Sequence, residues 1–183
     1  MKKTAYFLVL SMVILMTGCG AAKKAPQSYI TGGDYDASKN VTEYFVYPLG
    51  QVSLPGKWEK GDYNNSSRQQ SFLNQDGVLV AVSFAPCDKY EFNPDGALRG
   101  YEFAEAFYEW DSKYLVSTFG LDRKVLEKNK ANNYIIYRIF GKDLDTYFLV
   151  GEKNGNVSNF SVSSADKWTE QQKVDFLKSL FKD

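Results

Sequence analysis

The sequence predicts an α+β domain: an α/β/α sandwich in which one antiparallel sheet is flanked by two helices. Three observations carry this expectation. The runs VLVAVSFAP (78–86) and NYIIYRIF (133–140) are largely apolar at both parities, so each reads as a strand that needs cover on both faces. The segments 97–119 and 169–183 place apolar residues at helical spacing on one side. Four extended runs in the second half are separated only by short polar turns, the pattern of an antiparallel meander.

Residues 1–18 have a separate use. Lys2 and Lys3 are followed by a dozen uncharged residues, Ala5 to Met16. That is the length of a signal-peptide core and too short to span a bilayer, which takes about 20 apolar residues. No Ala-x-Ala-like cleavage site follows; instead the chain runs Leu15-Met16-Thr17-Gly18-Cys19. This stretch resembles the lipobox of bacterial lipoproteins, with Met16 where a Leu is usual. The resemblance implies cleavage before Cys19 and acylation of its thiol, with a lipid-anchored protein outside the cytoplasm as the result. Each buried CH₂ contributes about 0.8 kcal/mol, so two or more chains hold stably where one holds only marginally. Residue 20 is Gly rather than the Asp that retains such proteins at the inner membrane, which leaves the outer membrane open in a diderm cell. Residues 19–40, small and polar, then read as the lipidated Cys and a flexible tether, and residues 41–183 as a single globular domain.

Removal of residues 1–18 from the 183 leaves 165, enough for one domain with a real core. Lys2 and Lys3 leave with the signal, so 22 basic residues become 20 against 22 acidic ones, a net charge near −2. That balance gives no reason to propose nucleic acid as a partner. Cys87 is then the one unmodified thiol and cannot form an intramolecular disulfide. It ends an apolar run and is expected to be buried and inert. There is no histidine, which excludes Ser-His-Asp and Cys-His catalysis and His-based zinc sites. No catalytic motif, metal set or cofactor-binding loop is recognisable, and no cofactor is expected.

Within the domain, residues 43–61 suggest one or two short strands interrupted by Pro48 and Pro55. Two extended runs around Asp76-Gly77 form a hairpin. Asn93-Pro94-Asp95-Gly96 is a turn that leads into the first helix. On that helix Phe103, Phe107, Trp110 and Tyr114 form one stripe, widened by Ala104 and Tyr108. Arg99, Glu102, Glu105, Glu109, Ser112 and Lys113 fall opposite. The meander follows, and then a closing helix with Thr169 as N-cap and Gln172 completing a capping box. Val174, Leu177, Leu180 and Phe181 form its buried stripe.

The stretch YPLGQVSLPGKWEKG resembles the strand–Pro–x–x–Trp opening of Mog1/PsbP-like domains, and KVDFLKSLFKD resembles their closing helix, with Leu180 intervening in the usual Ser-Phe pair. The resemblance implies an α/β/α sandwich of a kind found in envelope lipoproteins and fixes no function.

Glu102, Glu105 and Glu109 could gather Ca²⁺, but a solvated face with Arg99 and Lys113 nearby accounts for them. Asp111 falls inside the apolar arc of its helix, where a carboxylate must be paired, hydrogen-bonded or protonated. It is either a polar contact on the floor of a pocket between helix and sheet, or the partner of a basic side chain such as Arg138. Trp110 and Tyr101, with Tyr90, Phe92 and Trp58, are aromatics that could stack on a ligand. The ligand-binding candidates are therefore Asp111, Trp110 and Tyr101. The expected function is that of a membrane-anchored, non-catalytic binding or accessory module with an envelope protein or peptide as partner. The alternative is a glycosidase-like hydrolase of the envelope, which needs a second acid facing Asp111.

Overall fold

The chain builds two antiparallel sheets rather than the single sheet expected. The computed structural model describes residues 28–181, so the signal segment, the lipobox and Cys19 lie outside the described residues. Two short strands, β1 (Ile30–Gly32) and β2 (Tyr35–Asp36), come first, inside the stretch expected to be tether. Both pair with one edge of β3 (Val41–Tyr47), while β4 (Gly50–Pro55) pairs with its other edge. This small sheet ends because Pro55 has no N–H to donate and Gly56, at φ +86°, turns the chain away.

Seven strands make the large sheet: β5 (Trp58–Asn64), β6 (Gln69–Asn74), β7 (Leu79–Pro86), β8 (Asp122–Asn129), β9 (Tyr134–Gly141), β10 (Leu144–Lys153) and β11 (Asn156–Ser163). Their spatial order is β5-β6-β7-β11-β10-β9-β8. The hairpin at Asp76-Gly77 is present, and Asn74 Oδ1 holds it by accepting from the N–H groups of Asp76 and Val78 at 3.0 and 2.9 Å. The meander β8 to β11 is also present, and its last strand closes on β7, so the sheet's two halves join at the centre.

Helix α1 (Gly100–Phe119) and helix α2 (Glu170–Phe181) pack against opposite faces of the large sheet. Strand parity sorts the core. Ile136 and Leu149 face α2, whereas Ile135, Tyr137 and Val150 face α1. The small sheet shares the α2 side through Tyr44, Val52 and Leu54. Thr42 stitches the two sheets together: its Oγ1 accepts from Trp58 N–H at 2.9 Å and its hydroxyl donates to the Gly56 carbonyl at 2.9 Å. Each fully buried Leu, Ile or Phe in these layers contributes about 1.5–3 kcal/mol.

The helix termini follow their sequences. At α2 the capping box forms in both directions, Gln172 N–H to Thr169 Oγ1 at 3.2 Å and Thr169 N–H to Gln172 Oε1 at 2.8 Å. Gly120, at φ +63°, ends α1 in the left-handed region and donates to the Val116 carbonyl. The start of α1 is capped from a distance. Arg99 supplies no side-chain cap, and the buried carboxylate of Glu152, on β10, accepts from the N–H groups of Gly100 and Gly155 instead. No described helix is long and apolar enough to cross a membrane.

Candidate functional site

Helix α1 covers only half of the sheet face beneath it, lying over β8, β9 and β10. Its expected aromatic stripe divides accordingly. Phe103, Ala104, Phe107 and Tyr108 are buried against the sheet, whereas Trp110 and Tyr114, expected in the core, are 37 % and 57 % exposed. Ser112 goes the other way: placed opposite the stripe by sequence, it is fully buried, donates to the Tyr108 carbonyl at 2.5 Å and accepts from Arg123 Nη1 at 2.6 Å.

Where α1 leaves the sheet uncovered, a groove of about 540 Å³ opens. Trp110, Asp111, Tyr114 and Leu115 form its helical wall. The β5–β6 turn around Arg68 and the segment Lys89–Glu91 form the facing wall. Phe148 and Asn159, from β10 and β11, form the floor. The volume is that of a small-molecule or side-chain site. Tyr90 organises one end: its ring lies 5.1 Å from Phe107 and 5.9 Å from Trp110, edge-on to both. The Trp110 indole N–H donates to Glu91 at 2.6 Å, which fixes the ring against the loop.

Asp111 is held here by one hydrogen bond, from the Tyr137 hydroxyl at 2.7 Å. Burial pushes its carboxyl above the usual range, and the bond from Tyr137 opposes that shift. Burial, with the charge of Asp111 next to it, holds the Tyr137 hydroxyl well above its ordinary value. Tyr137 itself stacks on Phe148, with centroids 5.1 Å apart and planes 11° from parallel. Nearby on the same sheet face, Asn159 Oδ1 is buried and accepts no hydrogen bond from any described residue. A half-buried carboxylate with a single donor and a buried amide oxygen with none thus share one aromatic-walled groove. Such groups favour a ligand that brings N–H or O–H donors.

Of the three residues singled out by sequence, Asp111 and Trp110 come together here and Tyr101 does not. Ten residues earlier on α1, Tyr101 lies about 15 Å along the helix axis from Asp111. Its hydroxyl donates to Glu105 at 3.3 Å and its ring lies under the Lys130 amine at 5.3 Å. Arg138, considered as a partner for Asp111, projects from the opposite face of β9 to Tyr137 and pairs with Asp145 at 2.6 Å. Trp58 is buried against Phe176. Glu105 and Glu109 pair with Lys128 and Arg123 at 2.9 Å each, and no group of three metal-ligating side chains forms among the described residues. Cys87 is 1 % exposed, and burial pushes its thiol up to about 12, so it is inert at neutral pH.

Asn159 carried no signal of its own as a ligand group. A signal existed in its strand, where Asn159, Ser161 and Ser163 succeed Val157 on one face of a central position. Small polar residues there mark a stretch of the sheet face that carries no large apolar side chain of its own.

Comparison with protein-family models finds no match for this chain, and comparison with curated proteins finds none either. Among solved structures, the chain is similar to the solution structure of cyanobacterial PsbP (CyanoP) from Synechocystis. The similarity covers 91 % of this chain and 93 % of that one, at 16 % identity and a TM-score of 0.38. At that level the likeness assigns this chain neither a family nor an activity.

Proposed function

We propose that this chain is a lipid-anchored extracytoplasmic protein whose domain is a non-catalytic binding module, with the α1 groove as its ligand site. The anchor is read from the lipobox at Cys19. The Mog1/PsbP-like reading belongs to the same proposal. It rests on the Pro55–Trp58 turn and on the order of elements.

The observation that carries the binding role is the pairing of two acceptors, the half-buried Asp111 carboxylate and the buried Asn159 Oδ1, with walls of Tyr90, Phe107, Trp110 and Phe148. The ligand is one that offers hydrogen-bond donors at one end and a flat apolar face for stacking. A hydrolase would need a second acid opposed to Asp111. The other carboxylate that lines the groove, Glu91, is engaged by the Trp110 indole.

The test is capture from solubilised membranes with the full anchored chain. Asp111→Ala and Trp110→Ala should each lose the bound component, and Tyr101→Ala should retain it. Equal recovery with all three variants would remove the groove as the site. Mass spectrometry of the mature amino terminus checks the anchor independently: an unmodified Cys19 would end that half of the proposal.

A further inference from the structure

The outer face of the small sheet is apolar where the chain enters it. Ile30 and Tyr47 are cross-strand partners, and Phe45, two residues before Tyr47, shares their face. All three stay exposed, Ile30 at 65 %, Tyr47 at 66 % and Phe45 at 37 %. With Pro48, Gly50 and Gln51 they line a shallow depression of about 540 Å³ that includes no charged side chain. The inner face of the same sheet already fills the core with Tyr44, Val52 and Leu54. Packing within the fold therefore leaves these outer residues unexplained.

Their position relative to the tether suggests what covers them. Because β1 begins at Ile30, the tether ends at the patch itself, eleven residues after Cys19. A chain of that length spans at most about 40 Å. Once Cys19 is lipidated, the patch is confined close to the head groups. At the effective concentration of a short tether, in the millimolar range, a weak second contact is enough to hold. Tyrosine and phenylalanine with an aliphatic neighbour suit the interfacial region, where an amphipathic ring meets both water and acyl chain.

We propose that Ile30, Phe45 and Tyr47 dock the domain onto the lipid head-group region, so that the anchored domain lies against its membrane instead of swinging free. This rests on the anchor at Cys19 proposed above, and its test separates the two.

The full chain, lipidated at Cys19, is placed in phosphatidylcholine vesicles, whose zwitterionic surface gives Lys23 and Lys24 no net charge to answer. Two reporters are compared, Tyr47→Trp in the patch and Leu144→Trp at an exposed position on the large sheet, with the emission of the parent chain's three tryptophans subtracted. Brominated acyl chains should quench the Tyr47→Trp reporter and leave the Leu144→Trp reporter bright. Adding Ile30→Glu should restore most of the lost emission while the chain still floats with the vesicles. If the floated chain shows equal quenching at both positions, docking is overturned and the anchor stands. If the Tyr47→Trp emission is blue-shifted but unquenched, another protein surface covers the patch, either the chain's own amino-terminal segment or a second copy, and docking is again overturned. If the chain does not float and Cys19 is unmodified, anchor and docking fall together.

Discussion

Asp111 shows how one residue can carry a local cost for a site. Its carboxyl titrates above the ordinary range because burial disfavours the charge more than the Tyr137 hydroxyl supports it. A carboxyl raised on folding binds its proton more tightly in the native state than in the unfolded one. Stability from this group is therefore full below the unfolded pKa of about 3.9. It falls as pH rises through the window up to the folded pKa and then stays level. Asp111→Asn keeps an acceptor for Tyr137 and removes the charge, so it should stabilise the domain at pH 7 by about 1 kcal/mol, as substitutions at strained functional sites do. The difference between variant and parent should vanish below about pH 4. Chemical denaturation across pH checks this, and an unchanged difference at low pH would mean that the gain is not electrostatic. The sequence exposed the oddity of Asp111, because a wheel is enough to place an acid in an apolar arc. It could not name Tyr137 as partner, because that contact joins residues 26 apart in the chain through tertiary packing.

At the scale of elements, the two helices are started in different ways, and the difference explains what could be read. The cap of α2 is local: Thr169 and Gln172 lie three residues apart and satisfy each other's backbone donors. The cap of α1 comes from Glu152, 52 residues beyond Gly100, and no local pattern announces it. Thr169→Ala should cost about 1 kcal/mol. Glu152→Ala should cost about 2–3 kcal/mol, because it strands the half-buried N–H groups of Gly100 and Gly155 and removes a negative charge from a helix N-terminus. Glu152→Gln, which keeps the acceptor but not the charge, should fall between. Thermal melts of the three variants give the order, and a larger loss for Thr169→Ala would contradict it. The same contrast separates hairpins from sheets. Turn chemistry at Asp76-Gly77 and between the meander strands was legible. The choice of β3 and β4 to leave the main sheet was not, since both sheets use the same alternation of apolar and polar residues.

For the whole molecule, the large sheet is a plate with three covers: α1 on one face, α2 and the small sheet on the other. The fit of α2 depends on a missing side chain. The Phe181 ring sits where a Cβ on Gly151 would project, two residues before the end of β10. The end of the helix is also held by Lys153, whose amine donates to the Phe181 carbonyl at 2.6 Å and lies 4.4 Å from its ring. Gly151→Val should lift the end of α2 and cost about 1–3 kcal/mol, the range for overpacking a filled core. Hydrogen exchange should show faster exchange along α2 with α1 unchanged. Uniform loosening of both helices would contradict that division into separate covers.

Local chemistry decided the segment types, the turns, the α2 cap, the burial of Cys87 and the expectation of a lipid anchor, because each depends on residues within a few positions of one another. Tertiary structure alone decided that there are two sheets, that strands begin at Ile30, that α1 leaves a groove beside it on the sheet face, and that Asp111 shares that groove with Asn159 and not with Tyr101. These outcomes depend on which distant surfaces bury one another. Apolar burial is non-directional: a pattern of greasy faces states how much must be covered and leaves open which element covers it.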